Sequence, residues 1–263
     1  MISKALKFLT LGVSMLCFFV SNTAAQLPAD GVVGYWSFDT GTINGNTVQD
    51  LLGKNDGELE GNPKVVAGKV GKALEFNGDN AVRIQGTDSL NFNGAKEMSV
   101  VAWVNPASAK PVKGVIPDTC CGTIVGQRDA NGWVLRYDGR NAGKEMLLIA
   151  QPGWQGHTTL GVPPFAKNTW HHLVGIVNND KLQLYVDGKL ESEVDYSGPM
   201  QTQGTITEIG NAKADGGFIG IIDEVLIYNR ALSANEVRQV FAAKGLPVEL
   251  QNKLATRWGE IKK

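Results

Sequence analysis

Short apolar runs separated by Gly, Asn and Asp clusters recur from residue 31 to residue 228, and they constrain the fold more than any other feature. No helical periodicity is found over that stretch. Runs of this length between turn residues are typical of antiparallel strands, and about ten such strands need two packed sheets. The predicted strands are residues 32–38, 73–76, 81–84, 98–104, 123–126, 133–137, 146–149, 172–177, 182–186 and 221–228.

Turn chemistry predicts how neighbouring strands are joined. Asn179-Asp180 and Asp187-Gly188 flank the run at 182–186, in which odd and even positions separate into an apolar and a solvent-tolerant face. Glycine accepts a positive φ without steric cost, and Asn and Asp favour tight reversals. The segment 77–80 has the same character. We therefore expect local hairpins on both sides of the predicted strand at 182–186, and another at 77–80 that pairs the predicted strands at 73–76 and 81–84.

A helix is predicted after the last strand. Ser233 and Glu236 have the spacing of a capping box, apolar residues at 237, 240 and 241 lie on one helical face, and Gly245 suits the C-cap. The folded domain is expected to occupy residues 26–246. Residues 247–263 form a tail with a short amphipathic stripe, either packed on the sandwich or docked to a partner.

The first 25 residues have the order of a secretory signal peptide. Lys4 and Lys7 precede an apolar stretch at 9–20, and small residues end at Ala24 and Ala25. The apolar stretch is too short to cross a bilayer as a helix. The sequence therefore predicts a secreted, periplasmic or cell-surface protein, cleaved after Ala25 and without a membrane span after cleavage.

Charge and cysteine content limit the partners. The chain has 25 Lys plus Arg against 26 Asp plus Glu and no basic run, which argues against a nucleic-acid partner. Cys120 and Cys121 are adjacent and would be the two cysteines left after cleavage. In an oxidising compartment they could form a vicinal disulfide, bond to another chain or remain buried thiols.

Six segments resemble, in the same order along the chain, the LamG-like jelly-roll family of the concanavalin A-like lectin and glucanase superfamily. They are GYWSFD at 34–39, LEFNG at 74–78, SVVAWV at 99–104, TWHHLV at 169–174, LYVDG at 184–188 and GIIDEVLIYNRALS at 220–233. The resemblance covers about residues 31–245. It implies an all-β jelly-roll sandwich of two antiparallel sheets with a short C-terminal helix. Family members are mostly ligand-binding or adhesive domains, although some members of the wider class are glycosidases or lyases.

The residues themselves offer no catalytic pair, so we predict a protein that is not an enzyme. Glu191, Glu193 and Asp195 alternate along one strand, but a charged sheet edge explains them better than a glycosidase site. Asp223 and Glu224 are adjacent, and we expect their side chains on opposite faces of a strand.

The histidines are expected to be structural. His171 and His172 are adjacent on a predicted strand, so they cannot grip one zinc ion from the same face. We expect His172 to be a hydrogen-bonded core residue beside Trp170.

A calcium site is implied by the resemblance, because many related domains bind calcium with acids of the first and last strands plus loop oxygens. Carried over to this chain, the ligands are Asp39, Asn55, Asp56 and Asp223. The loop at 50–57 is dense in Asp, Asn and Gly, which suits a cation that takes oxygen ligands. The same residues are also ordinary turn formers.

The predicted ligand surface is centred on a polar, glycine-rich loop at 151–157. Trp154 and His157 lie in that loop, and Arg128, Arg136 and Tyr137 lie on neighbouring strands. An exposed tryptophan can stack on a sugar or anchor a protein partner, whereas a buried one would fold back over the sheet. The first hypothesis is an exported carbohydrate-binding, lectin-like domain. The alternatives are a domain that binds an extracellular protein and, third, a glycan-cleaving enzyme.

Overall fold

The computed structural model describes residues 27–107, 120–138, 146–156, 161–162 and 165–243. These residues form two sheets packed face to face, which confirms the predicted all-β sandwich. Each of the ten predicted strands coincides with an observed strand, although the first ends at Trp36. The predicted signal peptide at 1–25 and the tail at 247–263 lie outside the described residues.

The strands are, in chain order, β1 (Val32–Trp36), β2 (Ile43–Asn44), β3 (Thr47–Val48), β4 (Gly57–Glu60), β5 (Lys64–Ala67), β6 (Lys72–Asn77), β7 (Ala81–Ile84), β8 (Glu97–Pro106), β9 (Cys120–Gln127), β10 (Trp133–Asp138), β11 (Met146–Ala150), β12 (His171–Asn178), β13 (Lys181–Val186), β14 (Lys189–Asp195), β15 (Thr207–Ile209), β16 (Asn211–Ala212), β17 (Gly216–Gly217) and β18 (Ile219–Tyr228). A 3₁₀ turn spans Asp88–Leu90, and helix α1 spans Ala234–Ala242.

The two sheets have different strand orders. Sheet A runs β14-β13-β12-β8-β18-β6-β5, with β1 also paired to β18. Sheet B runs β11-β10-β9-β15-β7-β4-β3-β2, and the small β16–β17 hairpin joins it through a parallel pairing of Gly217 with Thr123 on β9. Almost all other pairings are antiparallel, as expected for a jelly roll.

Strand β18 is the central strand of sheet A. It pairs with β8 on one side along most of its length, with an interruption between Asp223 and Leu226. On its other side the first half pairs with β6 and the second half with β1. Elements from both ends of the domain therefore meet on one strand: the Tyr35 hydroxyl reaches Glu224, 189 positions away in sequence.

Alternation along the strands separates two apolar layers. On β8, Val100, Ala102 and Val104 point into the core between the sheets, whereas Val101 and Trp103 belong to the outer face of sheet A. Because side chains alternate along a strand, Val100, Ala102 and Val104 are all buried on the same side of the sheet. The second set is covered by α1.

Helix α1 begins at the predicted capping box. The Ser233 hydroxyl accepts from the Glu236 backbone N–H, and the Glu236 carboxylate accepts from the Ser233 N–H at 2.8 Å. Hydrogen bonds from Arg230 hold the pKa of Glu236 down at about 2. The helix ends earlier than predicted, because Ala243 is the C-cap; Gly245 lies outside the described residues.

The hairpins predicted at 179–180 and 187–188 are confirmed, because β12 pairs with β13 and β13 pairs with β14. The hairpin predicted at 77–80 is wrong, because β6 pairs with β5 and β18 in sheet A whereas β7 pairs with β4 and β15 in sheet B, so this turn carries the chain from one sheet to the other. Asn179 and Asp187 have φ values of 50° and 49°, and Gly188 has a φ of 79°. Consecutive positive φ values at 187 and 188 are those of a tight hairpin turn, which matches the right-handed twist of the strands it joins.

Candidate functional site

The turn at 151–156 follows β11 at the edge of sheet B and holds Trp154 in an unusual conformation. The φ of Trp154 is 55°, between Gly153 at 74° and Gly156 at 90°. A left-handed conformation costs a bulky residue about 1–2 kcal/mol and is retained where surrounding contacts impose it. Such a residue marks a position worth testing for function.

Hydrogen bonds from Gln155 impose that turn. Its backbone exchanges two bonds with Ala150, at 2.9 and 3.1 Å. Its side chain accepts from the Ser197 N–H at 2.8 Å and donates to the Ser197 carbonyl at 3.0 Å. The turn is therefore fixed to the segment that follows β14.

The Trp154 side chain is half-buried and lies against sheet B. Its ring packs on Val134 and Ile149, which project from the outer face of β10 and β11. The guanidinium carbon of Arg128 lies 4.1 Å from the centroid of one of its rings, a cation–π contact. No described residue accepts a hydrogen bond from its indole N–H. Trp154 thus combines a ring packed on the sheet with a side chain that is only half-buried.

A buried ion-pair network fixes Arg128. Asp215 accepts two hydrogen bonds from Arg128, at 3.0 and 3.1 Å, and one from Arg136 at 2.7 Å. Arg136 also donates to Asp138 at 2.7 Å. The Arg136 and Asp215 side chains are each 4 % exposed and Asp138 is fully buried. Sequence reasoning missed Asp215, which lies in the loop of the β16–β17 hairpin.

A second charged strip continues across the outer face of sheet B. Arg83 on β7 pairs directly with Glu208 on β15, and its guanidinium also donates to Glu60 at 2.7 Å. The Lys213 N–H donates to Glu208 at 3.1 Å. Burial raises the pKa of Glu208. The described outer face is therefore rich in carboxylates that are already engaged.

Three of the five predicted ligand residues come together here: Trp154, Arg128 and Arg136. Tyr137 does not join them, since it packs against the core between the sheets. Arg136 and Tyr137 are consecutive on β10, so strand alternation alone would have separated them. His157 lies outside the described residues.

The four predicted calcium ligands divide between two places. Asp39 accepts from the Lys72 N–H at 2.8 Å, and Asp223 accepts from the Val70 N–H at 3.0 Å, so both carboxylates lie at the turn that precedes β6. Burial, and secondarily the charge of Asp39, raises the pKa of Asp223 to about 7. Two carboxylates at one turn fit a hard cation by donor chemistry.

Asn55 and Asp56 belong to a different hydrogen-bond network. The Asn55 side-chain oxygen accepts from the Thr87 hydroxyl at 2.5 Å and from the Ser89 hydroxyl at 3.1 Å. Asp56 accepts from the Asp50 N–H at 2.9 Å. Within the described ranges, no group of three or more His, Cys, Asp or Glu is placed to hold a metal ion. The calcium expectation therefore depends on Asp39 and Asp223.

An open cleft of about 600 Å³, which sequence reasoning did not find, lies beside Asp39. Its walls are mostly polar and include small residues of two turns. They are Ser37, Asp39, Thr40, Gly41, Thr42, Gln49, Leu51, Gly71 and Lys72.

The expectation that Asp223 and Glu224 face opposite sides of β18 is wrong. A β-bulge follows Asp223, and Glu224 adopts a φ of 50°. Asp223 is paired with Trp103, while Glu224 accepts from the Tyr35 hydroxyl at 2.5 Å. Trp103 and Tyr35 both belong to the outer face of sheet A, so the bulge places both acids there.

His172 and Glu224 line a small cavity between sheet A and α1. Burial lowers the pKa of His172 to about 3 and raises that of Glu224 to about 8. The ring neighbour of His172 is Trp103, 5.0 Å away, rather than Trp170, and its Nδ1 has no partner among the described residues. Phe241 of α1 covers this side of His172, and the centroids of the two rings are 5.7 Å apart.

The acids of β14 form a charged edge, as expected. Strand β14 is the terminal strand of sheet A. Asp195 accepts from Lys181 at 2.6 Å and Glu193 accepts from Gln183 at 2.6 Å. These exposed cross-strand pairs explain the alternation of acids without a catalytic site.

Cys121 is buried on β9, but the Cys120 side chain lies outside the described residues, so the disulfide stays a prediction. Across the described ranges, no helix has the length and apolar character needed to cross a membrane.

Comparison with known proteins gives a family match. The Laminin_G_3 model, described as the Concanavalin A-like lectin/glucanases superfamily, matches residues 76–238. No curated protein matches the chain.

Several solved structures share the fold. Domain 4 of AbnA, a GH43 extracellular arabinanase from Geobacillus stearothermophilus in complex with arabinotriose, is 22 % identical with a TM-score of 0.62; the match covers 80 % of this chain and 98 % of that one. Trypanosoma rangeli sialidase in complex with sialic acid is 19 % identical with a TM-score of 0.57, covering 82 % of this chain and 33 % of that one. The binding domain of Paraclostridial Mosquitocidal Protein 1 is 20 % identical with a TM-score of 0.54, covering 81 % and 52 %. The chain thus spans a third of the sialidase and about half of the mosquitocidal chain.

Proposed function

The chain belongs to the Concanavalin A-like lectin/glucanases superfamily, and from that membership we propose that it is an exported, non-catalytic carbohydrate-binding domain. Its ligand contacts Trp154 on the outer face of sheet B. The arabinanase domain solved with arabinotriose supports a glycan as the ligand class. The mosquitocidal match is named only as a binding domain, and a domain that binds an extracellular protein is the alternative.

The observation that carries the proposal is the constrained tryptophan. Trp154 is held at positive φ by the bonds of Gln155, and Arg128 covers one of its rings. An ideal Cβ on the neighbouring Gly153 would meet nothing within 4 Å, so a ligand can approach the backbone there. A rigid aromatic group whose N–H has no acceptor among the described residues suits a sugar, which offers both apolar C–H faces and hydroxyls.

The acids near Trp154 favour binding over hydrolysis. A glycosidase needs one carboxyl group as proton donor and a second as base or nucleophile. Asp215 and Asp138 are both committed to accepting hydrogen bonds from Arg136. The Arg136 guanidinium therefore lies between these two carboxylates and engages both of them.

Replacing Trp154 with alanine is expected to weaken glycan binding by about 1–3 kcal/mol, or roughly 5- to 150-fold, since a packed aromatic anchor is lost. Isothermal titration calorimetry with arabino-oligosaccharides and other glycans measures the effect. Trp170→Ala is the matched control, because Trp170 is also half-buried but lies in sheet A's neighbourhood, directly before β12. Unchanged affinity in Trp154→Ala contradicts the site, and release of reducing ends from a polysaccharide contradicts the non-catalytic proposal.

We also propose that Asp39 and Asp223 bind calcium. At a hundredfold excess over its dissociation constant, calcium that binds only the native state adds about 2.7 kcal/mol of stability. Thermal melts with calcium and with chelator measure the difference. Asp223→Asn should abolish that difference, whereas Asp56→Asn should keep it, because Asp56 belongs to the other network. A parent protein whose melting temperature ignores calcium contradicts the site.

A further inference from the structure

We propose that the saccharide bound at Trp154 is uncharged, and that the site selects neutral glycans over sialylated, uronic or sulfated ones. This inference rests on the proposed function, because it concerns the ligand of the same surface. The observation that supports it is that the charged side chains around Trp154 form ion pairs with one another.

Arg128, which contacts Trp154, already uses most of its hydrogen-bonding groups within the protein and has few left to bind an anion. Arg128 gives two hydrogen bonds to Asp215 and one to the Ala130 carbonyl at 3.2 Å. A ligand carboxylate could take the bidentate position only by displacing Asp215. That displacement would also remove one of the two described carboxylate partners of the buried Arg136.

Arg136 is not accessible as a replacement. Its side chain is 4 % exposed and lies between Asp215 and Asp138. Its Nε is buried and has no partner among the described residues. An anionic sugar would have to enter the protein interior to reach it.

Carboxylates outnumber cations on the described outer face of sheet B. Asp129, next to Arg128, accepts from the Thr205 and Ile206 N–H groups at 3.0 and 3.2 Å and stays at the surface. The described cationic side chains are Arg83, Arg128, Arg136 and Lys213, and the described carboxylates are Glu58, Glu60, Asp129, Asp138, Glu208 and Asp215. The described part of this face therefore carries a net negative charge, which disfavours an anionic ligand.

The same groups suit a neutral polyol. A sugar hydroxyl is both donor and acceptor, so it can donate to a surface carboxylate and accept from an indole N–H. Asp129 and Trp154 flank Arg128 and offer one group of each kind.

Calorimetry with a panel of neutral trisaccharides, including arabinotriose, and of anionic saccharides of the same length, including trigalacturonate and sialyllactose, tests the inference. We expect a neutral ligand whose affinity changes less than about twofold between 20 and 200 mM salt, since no ion pair is screened. Anionic members should bind at least about tenfold more weakly. Trp154→Ala should weaken the neutral ligand, and Trp170→Ala should not.

The outcomes separate the two proposals. An anionic glycan that binds more tightly, loses affinity with salt and depends on Trp154 overturns the neutral ligand and leaves the carbohydrate-binding function intact. Binding that ignores Trp154→Ala, or a panel in which no saccharide binds, overturns the carbohydrate-binding site and the neutral-ligand inference together.

Discussion

Replacing Asp215 with alanine is expected to lower the free energy of unfolding by about 3–5 kcal/mol, because it leaves buried guanidinium groups without their shared partner. Asp215 accepts three hydrogen bonds from Arg128 and Arg136 and is 4 % exposed. The loss of a partner in a buried network is far costlier than the loss of a surface pair. Urea unfolding of parent and variant measures the change.

Asp195→Ala is the matched control for that experiment. Asp195 forms an ion pair of similar length with Lys181, 2.6 Å, but its side chain is 93 % exposed. Because solvent screens an exposed pair, removing this partner should leave the urea midpoint close to that of the parent protein. If both variants unfold at the same urea concentration, the Asp215 network contributes nothing beyond an ordinary surface pair.

Acidification from pH 6.5 to 4 is expected to destabilise the parent by about 3 kcal/mol relative to a His172→Gln variant. Burial keeps the His172 imidazole neutral in the folded protein, with a pKa of about 3, whereas the unfolded chain titrates near 6.5. Between those values the unfolded state binds more protons, so this contribution to stability falls as the pH falls. Below pH 3 both states are protonated and the contribution no longer changes.

The comparison with His172→Gln isolates the histidine. Raised pKa values at Asp223 and Glu224 act in the opposite direction, since those groups favour the folded state as the pH falls. Both proteins carry those acids, so their effect cancels in the difference. Lys69 and Asp187, the other charges acting on His172, are also unchanged. Parallel stability profiles for the two proteins over this range would show that His172 titrates normally.

The sandwich could be predicted from sequence because it depends on local patterns. The alternation at 182–186 and the turn residues at 179–180 and 187–188 specify a hairpin before any distant contact forms. The capping box at Ser233 and Glu236 is likewise a contact within one helical turn. Because the strand pattern and the turn residues predict the same arrangement, the fold class can be predicted from the sequence.

The candidate site could be predicted only in part, because it depends on local deviations from regular strand geometry and on partners that are distant in sequence. Glu224 is a non-glycine residue at positive φ, and no feature of the sequence predicts the β-bulge that places it beside Asp223. Asp215 meets Arg128 across 87 positions of sequence, through a hairpin too short to show a strand pattern. Tyr137 is different, since its position next to Arg136 already excluded it from the same face.

The position of β18 decides when sheet A can be completed during protein synthesis. Strands β1, β6 and β8 leave the ribosome long before β18, the neighbour that all three share. Until residue 228 has been translated, each of them presents an unpaired edge, and such edges are prone to wrong pairing. Contacts of this sequence separation also make folding slow. Sheet A can therefore be completed only after its shared strand β18 has been released from the ribosome.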